Sequence, residues 1–253
     1  MDLLFRALRA ALGRANSVRA AVGIVLLMGM AIAGLATWGF AELAGHIREG
    51  ETQAFDEAML YLLREHRIPW VERSLLEITA LGTGLVVSFI VGISALFLWL
   101  SNHRYSASLL LLTTVGGLLL NNVLKLTFSR PRPRIIDWPV EVATSSFPSG
   151  HSMSAATVYV TVAYLAARLM SNSVARIATM LAAIAVILLI GASRVYLGVH
   201  YPSDVLGGYV IGIAWVAFCM ATLEAVQLWA RRNAPREMRH EEPAPERHEA
   251  VEA

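Results

Sequence analysis

Three short polar clusters interrupt an otherwise apolar chain, at residues 125–133, 148–151 and 193–204. Ionisable groups next to long apolar segments are costly to keep there, so we treat them as functional candidates. Together the clusters contain several cations and two histidines but a single carboxylate, that of Asp204. This set favours binding of an anion followed by chemistry at a histidine.

The cations predict a multiply charged anion as the ligand. Arginine offers a planar fork of donors that suits phosphate oxygens, and lysine offers a compact point charge. Lys125, Arg132 and Arg194 therefore form a candidate phosphate site. Ser149 and Gly150 precede a predicted helix, where a small hydroxyl and a glycine let backbone amides approach an anion at the positive helix end.

Two histidines supply the reactive groups. His200 and Asp204 are four residues apart, so one helical turn could bring the carboxylate to the imidazole, fix its tautomer and stabilise its charged form. The free ring nitrogen of His200 then becomes a nucleophile. His151 begins the next predicted helix and is placed to protonate a leaving oxygen. Because fixed cations would stabilise the transferred phosphoryl group, we expect neither a metal nor another cofactor.

Other polar and small residues near the clusters have simpler interpretations. We expect Arg130 and Arg134 to face solvent in an outer loop or to touch lipid head groups. Asn121 is expected to form an interhelical hydrogen bond, and Gly208 and Gly212 are expected to form a close-packing helix face.

The clusters resemble the three-part signature of the type 2 phosphatidic acid phosphatase superfamily. That signature reads K-x-x-x-x-x-x-R-P, then P-S-G-H, then S-R-x-x-x-x-x-H-x-x-x-D. Lys125 and Arg132 fit the first part, whereas Arg130 has the wrong spacing, and residues 148–151 fit the second part. The third part is matched by Ser193, Arg194, His200 and Asp204.

The resemblance implies an all-helical membrane core and a metal-independent phosphatase that acts on a phosphorylated membrane lipid. It implies that His200 is the nucleophile, His151 the general acid and Asp204 the partner that orients His200. The implied phosphate ligands are Lys125, Arg132, Ser149, Gly150 and Arg194. Bacterial members of this superfamily act on undecaprenyl pyrophosphate, phosphatidylglycerol phosphate, phosphatidic acid or lipid A phosphates, and we favour the first.

Three other functions use similar residues. A lipid phosphotransferase would pass the phosphoryl group to another lipid through the same site. The superfamily also includes vanadium haloperoxidases, but those are typically soluble. A membrane protein that only binds or transports phosphorylated lipid would need neither a nucleophile nor an acid, so His200, Asp204 and His151 argue against it.

The overall composition is that of a membrane protein. The chain has 253 residues, of which 56% are hydrophobic and 16% charged, and its mean hydropathy is +0.56. A soluble domain is about 45–50% apolar and about 25% charged. The formal net charge of +2 does not indicate a nucleic-acid partner. Cys219 is the single cysteine, which excludes an intrachain disulfide and a cysteine-based metal site.

Six apolar stretches are long enough to cross a bilayer core, which needs about 20 helical residues. They predict an all-α, six-helix transmembrane bundle within residues 20–229, preceded by a cytoplasmic segment 1–19 and followed by a disordered cytoplasmic tail 230–253. The first stretch is too long for a cleaved signal peptide, which favours a retained helix. The six stretches are residues 20–41, 79–100, 106–125, 152–170, 175–193 and 204–229.

The placement of basic residues predicts the orientation of a multi-pass protein in the inner, or plasma, membrane. With both termini in the cytoplasm, twelve of the 21 basic residues lie inside, in agreement with the positive-inside rule. The three clusters then face the periplasm or exterior. In the first outer loop, residues 55–67 have helical apolar spacing and predict an amphipathic helix at the membrane interface, with Trp70 as an anchor.

Overall fold

The computed structural model describes residues 18–136 and 144–233, and this part of the chain contains eight helices and no β-strand. Most of the predicted segment 1–19 and the predicted tail beyond Asn233 lie outside the described residues. The helices are α1 (Val18–Glu49), α2 (Gln53–Glu65), α3 (Pro69–Ala80), α4 (Gly84–Leu100), α5 (Arg104–Phe128), α6 (Gly150–Leu169), α7 (Ser173–Tyr196) and α8 (Pro202–Asn233).

The described helices are those of a multi-pass membrane protein. Four segments are long and apolar enough to cross a bilayer, and α3 and α4 form a fifth candidate when they are taken together. Helix α6, at the predicted span 152–170, does not meet this test because it carries hydroxyl and small side chains. Six spans therefore remain a prediction. The four segments are Leu26–Glu49, Arg104–Phe128, Ser173–Tyr196 and Pro202–Leu223.

Two boundaries differ from the sequence-based expectation. We predicted one span over residues 79–100, of which α4 covers Gly84–Leu100, and α3 joins α4 at a bend of 45°. Residues 42–78 were predicted to form a loop between the first two spans with one helix at 55–67, where α2 covers Gln53–Glu65. The loop is shorter than predicted, because α1 continues to Glu49 and α3 begins at Pro69. Proline is favoured in the first turn of a helix because its nitrogen has no hydrogen to leave unpaired. Gly50, with φ +80°, accepts the left-handed backbone that ends α1.

Close packing of α6 against α8 aligns the starts of these two helices. A side chain at Gly208 would lie 2.7 Å from the backbone oxygen of Ser149, and one at Gly212 would lie 3.0 Å from the Cβ atom of Ala156. The predicted packing role of both glycines is therefore confirmed. This contact places the first turn of α6 beside the first turn of α8.

Three phenylalanine rings hold the segment before α6 in place. The Phe147 ring stacks on Phe40 of α1 at 5.3 Å and meets Phe128, the last residue of α5, edge to face at 5.0 Å. Phe147 is fully buried. Aromatic pairs at these distances add stability beyond the area that they bury. The cluster therefore fixes the path of the chain that enters α6.

Candidate active site

The three polar clusters meet where the ends of four helices come together. Lys125 lies in the last turn of α5 and Arg194 in the last turn of α7, while His151 and Asp204 lie in the first turns of α6 and α8. Arg132 and His200, described below, come from the adjoining loops. The helix ends thus bring together groups that are up to 79 residues apart in the chain.

His200 and Asp204 are adjacent, as their spacing predicts. The Nδ1 atom of His200 lies 3.5 Å from Oδ2 of Asp204, and both side chains are almost fully buried. The same carboxylate oxygen accepts hydrogen bonds from the hydroxyl of Ser146 and, at 2.8 Å, from the backbone N–H of Tyr201. Asp204 is therefore held in one orientation, facing the imidazole.

Arg132 contacts the other ring nitrogen of His200. Its Nη1 atom lies 3.1 Å from Nε2 of His200 and donates to the backbone oxygen of Val199 at 2.8 Å, while Nε donates to the backbone oxygen of Thr144. A guanidinium can only donate, so Nε2 must accept and the ring proton belongs on Nδ1, towards Asp204. This tautomer places the lone pair of the ring on Nε2, the nitrogen that faces the guanidinium of Arg132.

Burial and neighbouring cations keep His200 uncharged. Burial lowers the pKa of His200 from 6.5 to about 4, and the positive charges of Arg132 and Arg194 act in the same direction, while Asp204 opposes them. Burial also lowers the pKa of Arg132 from its usual value. A histidine in this environment is neutral at physiological pH, which is the form that has a free lone pair.

Lys125 and Arg194 each donate one side-chain hydrogen bond within the described part of the chain. The Nζ atom of Lys125 donates to the backbone oxygen of Ser145 at 2.6 Å. Nη1 of Arg194 donates to the hydroxyl of Thr79 at 3.0 Å, and its buried Nε has no hydrogen-bond partner among the described residues. A buried donor without a partner is costly, and an anion bound in the site would satisfy it.

The start of α6 partly matches the predicted phosphate cradle. The Ser149 hydroxyl caps the helix by accepting from the N–H of Ser152, while the N–H of Ser149 donates to the backbone oxygen of Asp204 at 3.0 Å. The N–H of Ser149 is thus already occupied. Gly150 and His151 are the first residues of the helix, so their N–H groups have no partner within it. A side chain at Gly150 would approach Oδ1 of Asn121 to 3.3 Å.

His151 packs against the bend between α3 and α4. A Cβ atom at Gly82 would lie 3.1 Å from Cδ2 of His151 and 2.8 Å from a methyl carbon of Ile190. The absence of a side chain at Gly82 thus lets the bend support the imidazole.

Asn121 donates to the sulfur of Met153 at 3.3 Å, which confirms the predicted interhelical hydrogen bond.

A cavity of about 920 Å³ lies beside these groups. Lys125 and Arg132 line it, and the guanidinium of Arg132 also reaches His200. The cavity is rich in cations and large enough for a phosphorylated head group. Its other lining residues are Asn122, Leu126, Ser129, Arg130, Pro131, Arg134, Thr144 and Ser145.

The prediction for Arg130 is wrong. Its side chain is 8% exposed and forms buried ion pairs with Asp56, at 2.9 Å, and with Asp204, at 2.7 Å. A buried guanidinium requires such partners because removal of a charge from water is costly. Sequence reasoning also missed Asp56, Thr79 and Ser146, since no local spacing connects them to the signature.

Comparison with known proteins identifies the family. Residues 106–227 match the PAP2 superfamily. The chain is 36% identical over 177 residues to phosphatidylglycerophosphatase B of Bacillus subtilis (strain 168), covering 69% of this chain and 86% of that protein. It is 32% identical over 125 residues to an undecaprenyl-diphosphatase of the same organism, covering 47% of this chain and 60% of that protein.

A solved structure supports the same assignment. The crystal structure of a transmembrane PAP2-type phosphatidylglycerolphosphate phosphatase from Bacillus subtilis matches with a TM-score of 0.70 and 31% sequence identity. The match covers 81% of this chain and 98% of that one. The chain therefore belongs to the PAP2 superfamily, and it is a multi-pass membrane hydrolase of the lipid phosphatase class.

Proposed function

We propose that the protein hydrolyses the phosphate or pyrophosphate head group of a membrane lipid through a phosphohistidine intermediate. The observation that carries this proposal is the environment of His200, which is buried between Asp204 at Nδ1 and Arg132 at Nε2. Undecaprenyl pyrophosphate is the favoured substrate, with phosphatidylglycerol phosphate and phosphatidic acid as the alternatives. The names of the relatives include both an undecaprenyl-diphosphatase and a phosphatidylglycerophosphatase.

The first half of the reaction transfers the phosphoryl group to the enzyme. The Nε2 lone pair of His200 forms a bond to phosphorus as the bond to the leaving oxygen breaks. His151 donates a proton to that oxygen. Asp204 stabilises the positive imidazole ring that results. In the second half, His151 removes a proton from water, and the water oxygen displaces His200 from phosphorus.

Fixed cations supply the electrostatic stabilisation. Lys125, Arg132 and Arg194 surround the transferred group, and the amide of Gly150, which has no partner within α6, adds a donor at the positive end of that helix. Ser149 contributes by capping that helix and by presenting its hydroxyl to the group. These charges offset those of the phosphoryl oxygens, so we propose a metal-independent reaction.

The same helices support a proposed arrangement in the membrane. We propose six spans, one of which is α6 at the centre, where its hydroxyl side chains meet protein instead of lipid. Both termini lie in the cytoplasm and the site faces the periplasm or exterior. The exposed side chains of Phe55 and Leu62 on α2, and of Trp70 on α3, support an interfacial position for this part of the chain.

Phosphate release by the purified full-length protein tests the proposal. Undecaprenyl pyrophosphate, phosphatidylglycerol phosphate and phosphatidic acid would each be supplied in detergent with EDTA. We expect release by the wild type, none by His200→Ala, and unchanged release by His103→Ala, which removes an exposed histidine from the opposite end of α5. Full activity in His200→Ala would refute the nucleophile assignment. A phosphorylated acceptor lipid without free phosphate would indicate a phosphotransferase.

A further inference from the structure

Arg130 and Asp56 form a buried ion pair outside the three signature motifs. Nη2 of Arg130 lies 2.9 Å from Oδ2 of Asp56, and the two side chains are 8% and 0% exposed. They come from the loop after α5 and from the first turn of α2. Burial of two charges is costly unless their geometry and their remaining hydrogen bonds are favourable. The other hydrogen bonds of Arg130 and Asp56 must therefore offset this cost.

The pair extends directly to Asp204. Nη1 of Arg130 donates to Oδ1 of Asp204 at 2.7 Å and to the hydroxyl of Ser203 at 2.8 Å. Asp56 accepts from the backbone N–H of Ser203 at 3.0 Å and from its hydroxyl at 2.5 Å. The guanidinium of Arg130 also lies 4.3 Å from the ring centroid of Tyr201. Asp56 thus holds both the guanidinium and the residue next to Asp204.

The two carboxylate oxygens of Asp204 therefore have different partners. Oδ1 faces Arg130, and Oδ2 faces Nδ1 of His200. Rotation of the carboxylate would break the charge-assisted hydrogen bond to Arg130, which is among the stronger kinds of hydrogen bond. Arg130 therefore keeps Oδ2 directed at the imidazole, where it selects the tautomer with its proton on Nδ1.

We propose that Asp56 and Arg130 are a positioning pair, which orients Asp204 and through it the His200 nucleophile. This inference rests on the proposed function of His200. Neither side chain is assigned a contact with the substrate. The pair links α2 to the site, so the first outer segment contributes to catalysis without supplying a reacting group.

Kinetics of single and double variants test the pair. Arg130→Gln should lower kcat about 10- to 100-fold with KM little changed, as expected when a residue that orients a reacting group is lost. Asp56→Asn should lower kcat less, because Arg130 still reaches Asp204. The double variant should be about as slow as Arg130→Gln, since both changes disrupt one unit. The substrate, in detergent micelles, is the lipid that the wild type hydrolyses fastest among undecaprenyl pyrophosphate, phosphatidylglycerol phosphate and phosphatidic acid.

Matched controls come from exposed residues at the end of α2. Arg64→Gln and Glu65→Gln make the same charge changes on side chains that are exposed to solvent, and both should keep wild-type kcat. Arg130→Lys should recover part of the activity, because an ammonium can pair with Asp204 but cannot also bridge to Asp56. The proposal would be overturned if the decrease in kcat of the double variant equalled the product of the two single decreases. It would also be overturned if the substitutions changed KM and left kcat unaltered.

Nitrogen-15 NMR of labelled histidines provides a readout that does not depend on turnover. The His200 signals are assigned by their absence in His200→Ala. We expect Nδ1 of His200 to be protonated in the wild type. In Arg130→Gln the Nδ1 signal should shift, because Asp204 is no longer held facing that nitrogen, while Arg132 still keeps the proton on Nδ1. An unchanged His200 spectrum would overturn the proposal, as would loss of folded protein in all of these variants, which would make the pair a folding requirement.

The two proposals fail in different ways. If His200→Ala retains activity, the proposed nucleophile is wrong, whatever the NMR spectra show. If His200→Ala is inactive but Arg130→Gln has the wild-type kcat and the wild-type Nδ1 signal, only the positioning role is wrong.

Discussion

His200 combines a carboxylate on one ring nitrogen with a guanidinium on the other, and this combination has a consequence for pH dependence. Burial lowers the pKa of His200 to about 4. The neutral, nucleophilic form therefore persists as the pH falls through 6.5, where an exposed histidine would become protonated.

On the acid side, we accordingly expect kcat/KM to fall only as the pH approaches about 4, where His200 of the free enzyme becomes protonated. A loss of activity as the pH rises reports deprotonation of His151, the proposed general acid. The measurement is a pH profile with a lipid phosphate whose own ionisation is determined separately by phosphorus NMR. The His103→Ala variant should give the same profile. Half-loss of activity as the pH is lowered through 6.5 would show that His200 is solvated in the free enzyme.

Thr79 offers a second test at a single residue, because its hydroxyl accepts the hydrogen bond from the buried Arg194 guanidinium. Thr79→Val keeps the shape of the side chain but leaves a buried guanidinium N–H unpaired. We expect kcat/KM to fall about tenfold, which corresponds to about 1.4 kcal/mol of transition-state stabilisation.

The matched control for Thr79 is Thr222→Val, which removes an exposed hydroxyl whose partner lies within its own helix. Steady-state kinetics on both variants would be compared with thermal unfolding in detergent. An equal loss of activity in the control would show that the effect of Thr79→Val is not specific to Arg194.

Individual site residues were predictable only where local spacing marks them. The separations from Lys125 to Arg132 and from Arg194 through His200 to Asp204 are properties of the sequence, and the structure brings these side chains together. Arg130 was misinterpreted because its partner Asp56 lies 74 residues earlier in the chain. No periodicity connects an acidic residue on α2 with a loop cation after α5.

At the scale of elements, the contact between α6 and α8 determines where the site residues lie. Gly208→Ala would place a methyl group 2.7 Å from the backbone oxygen of Ser149 and 2.9 Å from the Cβ atom of Ser152. Neither neighbour is the end of a flexible side chain, so the helices must move apart. We expect a loss of about 1–3 kcal/mol of stability from this overpacking and a lower Tm in detergent.

Gly45→Ala is the control for Gly208→Ala. Gly45 lies in α1 with no atom within 4 Å of an added Cβ atom. Alanine has the higher helix propensity, by about 1 kcal/mol. The control should therefore keep or raise the Tm, and equal destabilisation in both variants would rule out the helix contact as the cause.

Helix positions were more predictable than helix ends and bends. Long apolar runs predicted the locations of α5, α7 and α8 to within a few residues. The bend at residues 81–83 was missed because it depends on how Gly82 packs against His151 and Ile190, which are distant in sequence. The extension of α3 into the predicted loop was missed because its composition is more polar than that of a span.

At the scale of the whole molecule, the proposed orientation can be tested with cysteine chemistry. Cys219 is the single cysteine and is buried, so Cys219→Ala provides a background without thiols. In that background, Glu65→Cys places a thiol at the end of α2, and Ser171→Cys places one between α6 and α7. Both positions are exposed.

A membrane-impermeant maleimide added to spheroplasts should label position 65 and spare position 171. Both positions should be labelled after the membrane is permeabilised, which controls for thiol accessibility. The reverse pattern would invert the proposed topology and place the site at the cytoplasmic face.

The backbone hydrogen bond from Ser149 to Asp204 has a consequence for the dynamics of turnover. It joins the start of α6 to the start of α8, and the two helices also touch at Gly208, so His151 and Asp204 lie on one rigid block. These site residues are thus already in position before the ligand binds, and the site does not close around it. A phosphate mimic such as vanadate should bind in a single fast phase whose rate rises linearly with concentration, without a slow closing step.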